Sequence, residues 1–239
     1  MKIENKTILV TGANRGIGRA LVEEALKLGV KRVYAGTRTP FTHPDPRVIP
    51  LTLDVTNEEQ IRAAVAKVGS LDILINNAGV AHYDNLSDRT MLNRHLAVNF
   101  FGMYDLIQAF LPALVRSQGA IVNNLSMVAL ASFPPIASYS ISKAAAFSLT
   151  QSLRAFLAGQ GVRVFAVLTG PVDTDMNRGL DIPKVSTESA ARAIYAGVEN
   201  EDEEIFPDPA SASLSESWNG SAMKAMERQN AAFVAAQPA

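Results

Sequence analysis

The chain has 239 residues, 48% hydrophobic and 19% charged, with a net charge of −1 and no cysteine. That length and balance fit one large domain with a well-buried core, and the missing thiols exclude a disulfide framework, a zinc–thiolate site and thiol catalysis. Near-zero charge gives no electrostatic basis for a nucleic-acid or anionic-membrane partner, and His43, His82 and His95 show no metal-ligand spacing.

Met1–Lys6 leads straight into an apolar strand without a signal-peptide pattern, and no apolar run is read as reaching transmembrane length; a cytoplasmic protein is expected. Thr7–Val10 reads as a buried strand. Arg19–Leu28 carries Ala20, Leu21, Ala25 and Leu28 at helical spacing and stops at Gly29, a suitable C-terminal cap. Strands follow at Arg32–Ala35 and Val48–Leu53, where Pro50 indicates a bend or an edge. Thr39–Pro46, with three prolines, is an irregular surface loop. Then come a helix at Glu58–Val68, a strand at Ile73–Ile75, a long helix at Leu92–Val115 and a strand at Ala120–Leu125. A second long helix at Tyr139–Ala158, a strand at Val162–Val167 and a short one at Glu204–Phe206 complete the alternation; Ala212–Ala235 reads as helical, followed by a frayed tail. Strands alternating with helices predict a doubly wound parallel α/β sheet of about seven strands, a single Rossmann-type domain over 1–239 without linker or repeat.

Behind the first strand lies Thr11-Gly12-Ala13-Asn14-Arg15-Gly16-Ile17-Gly18, then a helix. Glycines there let the backbone approach a pyrophosphate, and the helix N-terminus offers free N–H groups and positive dipole to it. The spacing Gly-x-x-x-Gly-x-Gly after a threonine resembles the fingerprint of the short-chain dehydrogenase/reductase family. The other places where that family carries motifs match in order. Asp54-Val55 follows the third strand, Asn76-Asn77-Ala78-Gly79 the fourth, Asn99 lies in the following helix, Ser126 closes the fifth strand and Tyr139-x-x-x-Lys143 opens the next helix. The resemblance covers roughly residues 6–233.

Tyr139 and Lys143 stand four apart, on one helix face. A nearby ammonium lowers a phenol's pKa, which would let Tyr139 exchange a proton with a substrate oxygen near neutral pH. The resemblance implies Tyr139 as general acid/base, Ser126 as orienter of the substrate oxygen, Lys143 as binder of the nicotinamide ribose, and Asn99 as holder of a water linked to Lys143. It implies cofactor contacts from Gly12, Asn14, Arg15, Gly16, Ile17, Gly18, Thr37, Arg38, Asp54, Val55, Asn77, Ala78, Gly79, Tyr139, Lys143, Gly170, Val172 and Thr174.

At the end of the second strand, where an acid would bind a ribose diol, Thr37 is followed by Arg38. With Arg15 this pair of forked cations suits a 2′-phosphate, so NADP(H) is the expected cofactor, NAD(H) the alternative. In Thr169-Gly170-Pro171-Val172-Asp173-Thr174, Thr169 stands where the family commonly has proline, which leaves the rigidity of that turn open. The substrate loops are placed near 127–138 and 175–188, where Met127, Leu130, Phe133, Met176 and Leu180 predict an apolar carbonyl or alcohol substrate and Arg178 is the one evident cation. Two other functions use such a site or fold: an epimerase or dehydratase, which usually adds a larger C-terminal substrate domain, and a non-catalytic dinucleotide sensor, which could dispense with Ser126, Tyr139 or Lys143. Apolar residues on the two long helices (Phe100, Phe101, Phe110; Phe147, Leu149, Phe156) predict a homodimer or homotetramer.

Overall fold

Strands buried on both faces need apolar side chains at consecutive positions rather than alternate ones. The computed structural model, which describes residues 1–235, forms seven such strands: β1 (Thr7–Thr11), β2 (Arg32–Thr37), β3 (Val48–Thr52), β4 (Ile73–Asn76), β5 (Ala120–Asn124), β6 (Arg163–Val167) and the two-residue β7 (Glu204–Ile205). They pair in parallel in the order 3-2-1-4-5-6-7. Pro50 lies on β3, an edge strand, where a missing N–H is tolerated.

The helices are α1 (Gly16–Lys27), α2 (Glu58–Val68), α3 (Arg89–Leu96), α4 (Gly102–Ser117), α5 (Ala137–Leu157), α6 (Thr187–Asn200), α7 (Pro209–Ala212), α8 (Ser215–Asn219) and α9 (Ala222–Ala235). On one face of the sheet, Leu9, Leu74 and Ile121 pack against Ile61 of α2, Leu106 and Phe110 of α4 and Leu153 of α5. On the other, Ile8, Val10, Ile73 and Val122 pack against Leu21 and Ala25 of α1 and Ile194 and Tyr195 of α6. Each such fully buried aliphatic side chain contributes roughly 1.5–3 kcal/mol of transfer free energy. The order of connection reverses beside β1, so a crevice opens outside the carboxyl ends of β1 and β4, the place where doubly wound sheets bind ligands.

Four readings of the sequence change. Helix α6 was not anticipated: its apolar face is built on alanines and interrupted by Gly197, yet Ala190, Ala191, Ile194, Tyr195 and Val198 do fall at helical spacing behind the Ser186 cap. Second, the long helix at 92–115 begins earlier, at Arg89, and contains a π-helical turn at Ala97–Phe101. The continuous stretch Arg89–Ser117 contains an 18-residue window with a mean hydropathy of 1.4, long and apolar enough for a membrane span, contrary to the first reading, although Met103, Leu106, Ile107, Phe110 and Leu114 are buried in the core. Third, Phe110 and Phe147 are core residues rather than parts of an outer apolar face; Phe147 meets Trp218 edge-on at 5.4 Å. Phe101 and Phe156 remain exposed. Fourth, the C-terminal helix is divided at Ser213–Leu214 and Gly220–Ser221 into α7, α8 and α9; the tail read as frayed lies outside the described residues.

Helix α9 is fixed to α5 and β7 by a buried ionic cluster. Lys224 meets Glu203 and Glu204, each at 2.8 Å, and Glu227 at 3.1 Å, while Arg154 of α5 pairs with Glu204 and Glu227.

Candidate active site

The glycine turn connects β1 to α1 with Gly12 at φ +65°, a left-handed conformation that favours glycine. A Cβ at Gly12 would press on the Ala78 backbone at 3.2 Å, and one at Gly18 would run into the Gly12 carbonyl. The turn is thus packed directly on the Asn77–Ala78 segment behind β4. The Thr11 hydroxyl accepts from the N–H groups of Asn77 and Ala78, both at 2.9 Å, which fixes that contact.

Helices α2, α3, α6 and α7 begin with a side-chain cap from Asn57, Asp88, Ser186 and Asp208. Helix α1 has none: Arg15 makes no cap and no acid lies in the first turn. A crevice of about 870 Å³ opens beside it, lined by Asn14, Arg15, Gly16, Arg19 and Thr174 and, further along, by the acids Glu23, Glu24 and Glu188. The donor set at the start of α1 suits the pyrophosphate of a dinucleotide. Thr174 stands against Gly16, and Arg15 is 3.6 Å from Asp175.

Of the adenosine-side candidates, Arg38 is exposed, Thr37 is buried with its hydroxyl donating to the Thr39 carbonyl at 2.7 Å, and Ile17 is half-buried. Val55 packs on Gly102. The Asp54 carboxylate is turned onto the Thr56 N–H and hydroxyl at 2.9 and 2.8 Å, and the Asp54 N–H donates to Gln60. Val172 is buried and bridges Val185, and the Gly170 N–H donates to Asp208 at 2.7 Å.

Outside that crevice, beyond the carboxyl end of β5, Ser126, Tyr139 and Lys143 are all buried. Burial pushes the Tyr139 phenol up to about 12, opposed by the neighbouring Ser126 hydroxyl. Burial also pulls Lys143 down to about 8, and its Nζ donates to the Asn124 carbonyl at 2.8 Å, lying 5.6 Å from the Tyr139 ring centre. The first expectation, a phenol depressed by its lysine, is therefore reversed in this structure. Desolvation of the buried ring is the larger cause, and the Lys143 ammonium is bonded to a carbonyl rather than to the phenolic oxygen.

Asn99 lies in the π-helical turn, a local widening that aims its side chain inward. Its Oδ1 accepts from Val80 N–H, and its Nδ2 donates to the Val80 carbonyl and the Ser142 hydroxyl, all at 2.9 Å. Both amide hydrogens are thus committed to protein partners, which makes Asn99 a strut between the segment after β4 and helix α5.

Three residues of this site escaped the sequence. Asp84 accepts from the Ser138 N–H and hydroxyl, capping the start of α5 from a loop 54 residues away. His95, fully buried, donates from Nδ1 to the Met91 carbonyl at 2.8 Å, accepts at Nε2 from the His82 N–H, and packs edge-on against the Tyr139 ring. Asn124 joins Lys143 to the turn after β6. Only the double Asn at the end of an apolar strand could have singled out Asn124; the other two depend on long-range pairing.

Fold and crevice together define a dinucleotide-binding α/β protein. Residues 6–184 match the short chain dehydrogenase family. The chain is 36% identical to a short chain dehydrogenase from Burkholderia cenocepacia J2315, solved in complex with NADP, with a TM-score of 0.88 over 96% of this chain and 98% of that one. It is 28% identical to NADPH-bound carbonyl reductase from chicken fatty liver, with a TM-score of 0.77 over 85% and 96%. Estradiol 17-beta-dehydrogenase 2 of Rattus norvegicus is 34% identical over 74% of this chain, which spans 50% of that enzyme's length. The chain belongs to the short-chain dehydrogenase/reductase family of NAD(P)-dependent oxidoreductases.

Proposed function

We propose that this chain reduces the carbonyl of an apolar small molecule, or oxidises the corresponding secondary alcohol, with NADP(H). The observation that carries this reading is the buried Ser126–Tyr139–Lys143 group on the same carboxyl edge of the sheet as the uncapped N-terminus of α1. When bound, the nicotinamide supplies or accepts the hydride. Ser126 donates a hydrogen bond to the substrate oxygen and orients it. Tyr139, held protonated at neutral pH, gives its proton to that oxygen during reduction; in oxidation it accepts the alcohol proton after passing its own to neutral Lys143. Lys143, with its depressed pKa, is free to exchange the Asn124 carbonyl for the ribose hydroxyls and to return a proton to Tyr139. Asn99 keeps α5 in register with the segment after β4, so its role is to position rather than to carry a water by its amide hydrogens.

The preference for NADP(H) rests on the exposed Arg38 and Arg15, with no acid at Thr37, and on the nucleotides named with two structural relatives. The apolar substrate class rests on Phe133 and Met176 in the two loops and on Ile182 beside them, all exposed, while Arg178 is engaged by Asp175. A homo-oligomer built on α4 and α5 is supported by the exposed Phe101, Tyr104 and Phe156. NADPH oxidation, with NADH in parallel, is measured over a panel of apolar and carboxylated ketones and aldehydes. Faster turnover with NADPH and with apolar substrates is expected. NADPH binding without turnover of any compound would move the reading to a dinucleotide sensor.

A further inference from the structure

The turn after β6 begins with Thr169, a residue free to adopt more backbone conformations than proline, yet two hydrogen bonds tie it to one neighbouring segment. Its hydroxyl donates to Asn124 Oδ1 at 2.7 Å, and its carbonyl accepts from the Met127 N–H at 3.0 Å. Thr169 is buried, so losing this part-buried bond would leave its partner oxygen poorly compensated. Asn124 in turn donates from Nδ2 to Asn77 Oδ1 at 2.9 Å, and Asn77 donates from its own Nδ2 to the Thr11 carbonyl at 2.9 Å.

The direction of this chain of bonds is fixed by its far end. The Thr11 carbonyl can only accept, so the Asn77 NH2 faces it and the Asn77 oxygen faces Asn124. The Asn124 NH2 then faces Asn77, and its oxygen is left for a donor. Thr169 is the residue that supplies that donor. The same Asn124 offers its backbone carbonyl to Lys143 Nζ. One asparagine therefore joins the glycine turn of β1, the end of β4, the lysine of α5 and the turn after β6.

We propose that Thr169 and Asn124 form a positioning clamp: their side-chain bond sets the turn at residues 169–174 relative to the glycine turn and Lys143, and so preorganises both ends of the cofactor crevice. This rests on the reading of the crevice as a dinucleotide site. The clamp replaces local backbone stiffness with a bond between segments 45 residues apart. Its orientation is set through three side-chain amides and hydroxyls rather than through the turn itself.

The test compares Thr169→Val, which keeps the shape and removes the hydroxyl, with Thr169→Ser, which keeps the hydroxyl and removes the methyl. Amide hydrogen exchange of segment 168–172 in the protein without nucleotide is read first, then the dissociation constant for NADPH from its fluorescence enhancement. Thr169→Val is expected to speed exchange and weaken NADPH binding by roughly 5- to 10-fold each, the size of one buried bond lost. Thr169→Ser is expected to stay within about twofold of the unaltered protein in both. Exchange and affinity unchanged in Thr169→Val would overturn the clamp, as would equal losses in Thr169→Val and Thr169→Ser, which would assign the effect to the methyl group's packing. An unaltered protein that binds no NADPH would overturn the dinucleotide reading instead, and the exchange data would still decide whether the bond holds the turn.

Discussion

Among the described residues two lysines are buried, and their surroundings differ in one respect that decides their chemistry. Lys143 has a carbonyl and a phenol ring near it; burial pulls it down to about 8. Lys224 also suffers burial, which acts to lower it, but bonds to Glu203 and Glu204 overcome that and raise it above the usual value. A buried lysine with counter-ions is a fixed charge that holds elements together. A buried lysine without them sits close to its own titration, which is what proton exchange in the crevice requires.

The largest effect is expected at Lys224. Replacing it by alanine leaves Glu204 buried beside a single remaining cation, Arg154, and is expected to destabilise the fold by about 3–5 kcal/mol in denaturant unfolding. A loss below about 1 kcal/mol, typical of a surface ion pair, would show that the cluster does not hold α9. Lys143→Met is expected to do the opposite at neutral pH, raising stability on the order of 1–3 kcal/mol by removing a partly frustrated charge. The sign follows from the protons bound. Between pH 8, where folded Lys143 titrates, and 10.5, its ordinary value, the unfolded chain binds more protons than the folded one, so the unaltered protein gains stability as pH rises. The advantage of Lys143→Met is therefore full below pH 8 and fades towards 10.5. Paired urea titrations at pH 7 and pH 10 check this, and an advantage that does not shrink with pH would contradict it.

Helix α5 illustrates what a sequence discloses. Tyr139 and Lys143 are legible because four residues of helix bring them to one side without any other information. The glycine turn is legible because strand, glycines and helix adjoin in the chain. The burial that reverses the Tyr139 shift is not local: it comes from packing against segments such as His95, 44 residues earlier in the numbering. The Arg154–Glu227 pair spans 73 residues and Thr169–Asn124 spans 45, so nothing in either neighbourhood announces them. The π-helical turn at Asn99 escaped for another reason, since its apolar residues fit an ordinary helix equally well. Helix α6 was hidden by small side chains, which weaken the apolar stripe although they suit the close approach of α6 to α1 and β7, where Gly197 meets Ile205.

In the mechanism proposed above, Tyr139 moves the proton that accompanies hydride transfer. Tyr139→Phe keeps the ring and its contact with His95 while removing the phenolic oxygen. Its kcat/KM for NADPH-dependent carbonyl reduction, measured beside the dissociation constant for NADPH, is the direct test. A fall of about 100-fold or more in kcat/KM with NADPH affinity kept within about twofold is predicted. Equal turnover in the two proteins would contradict the mechanism.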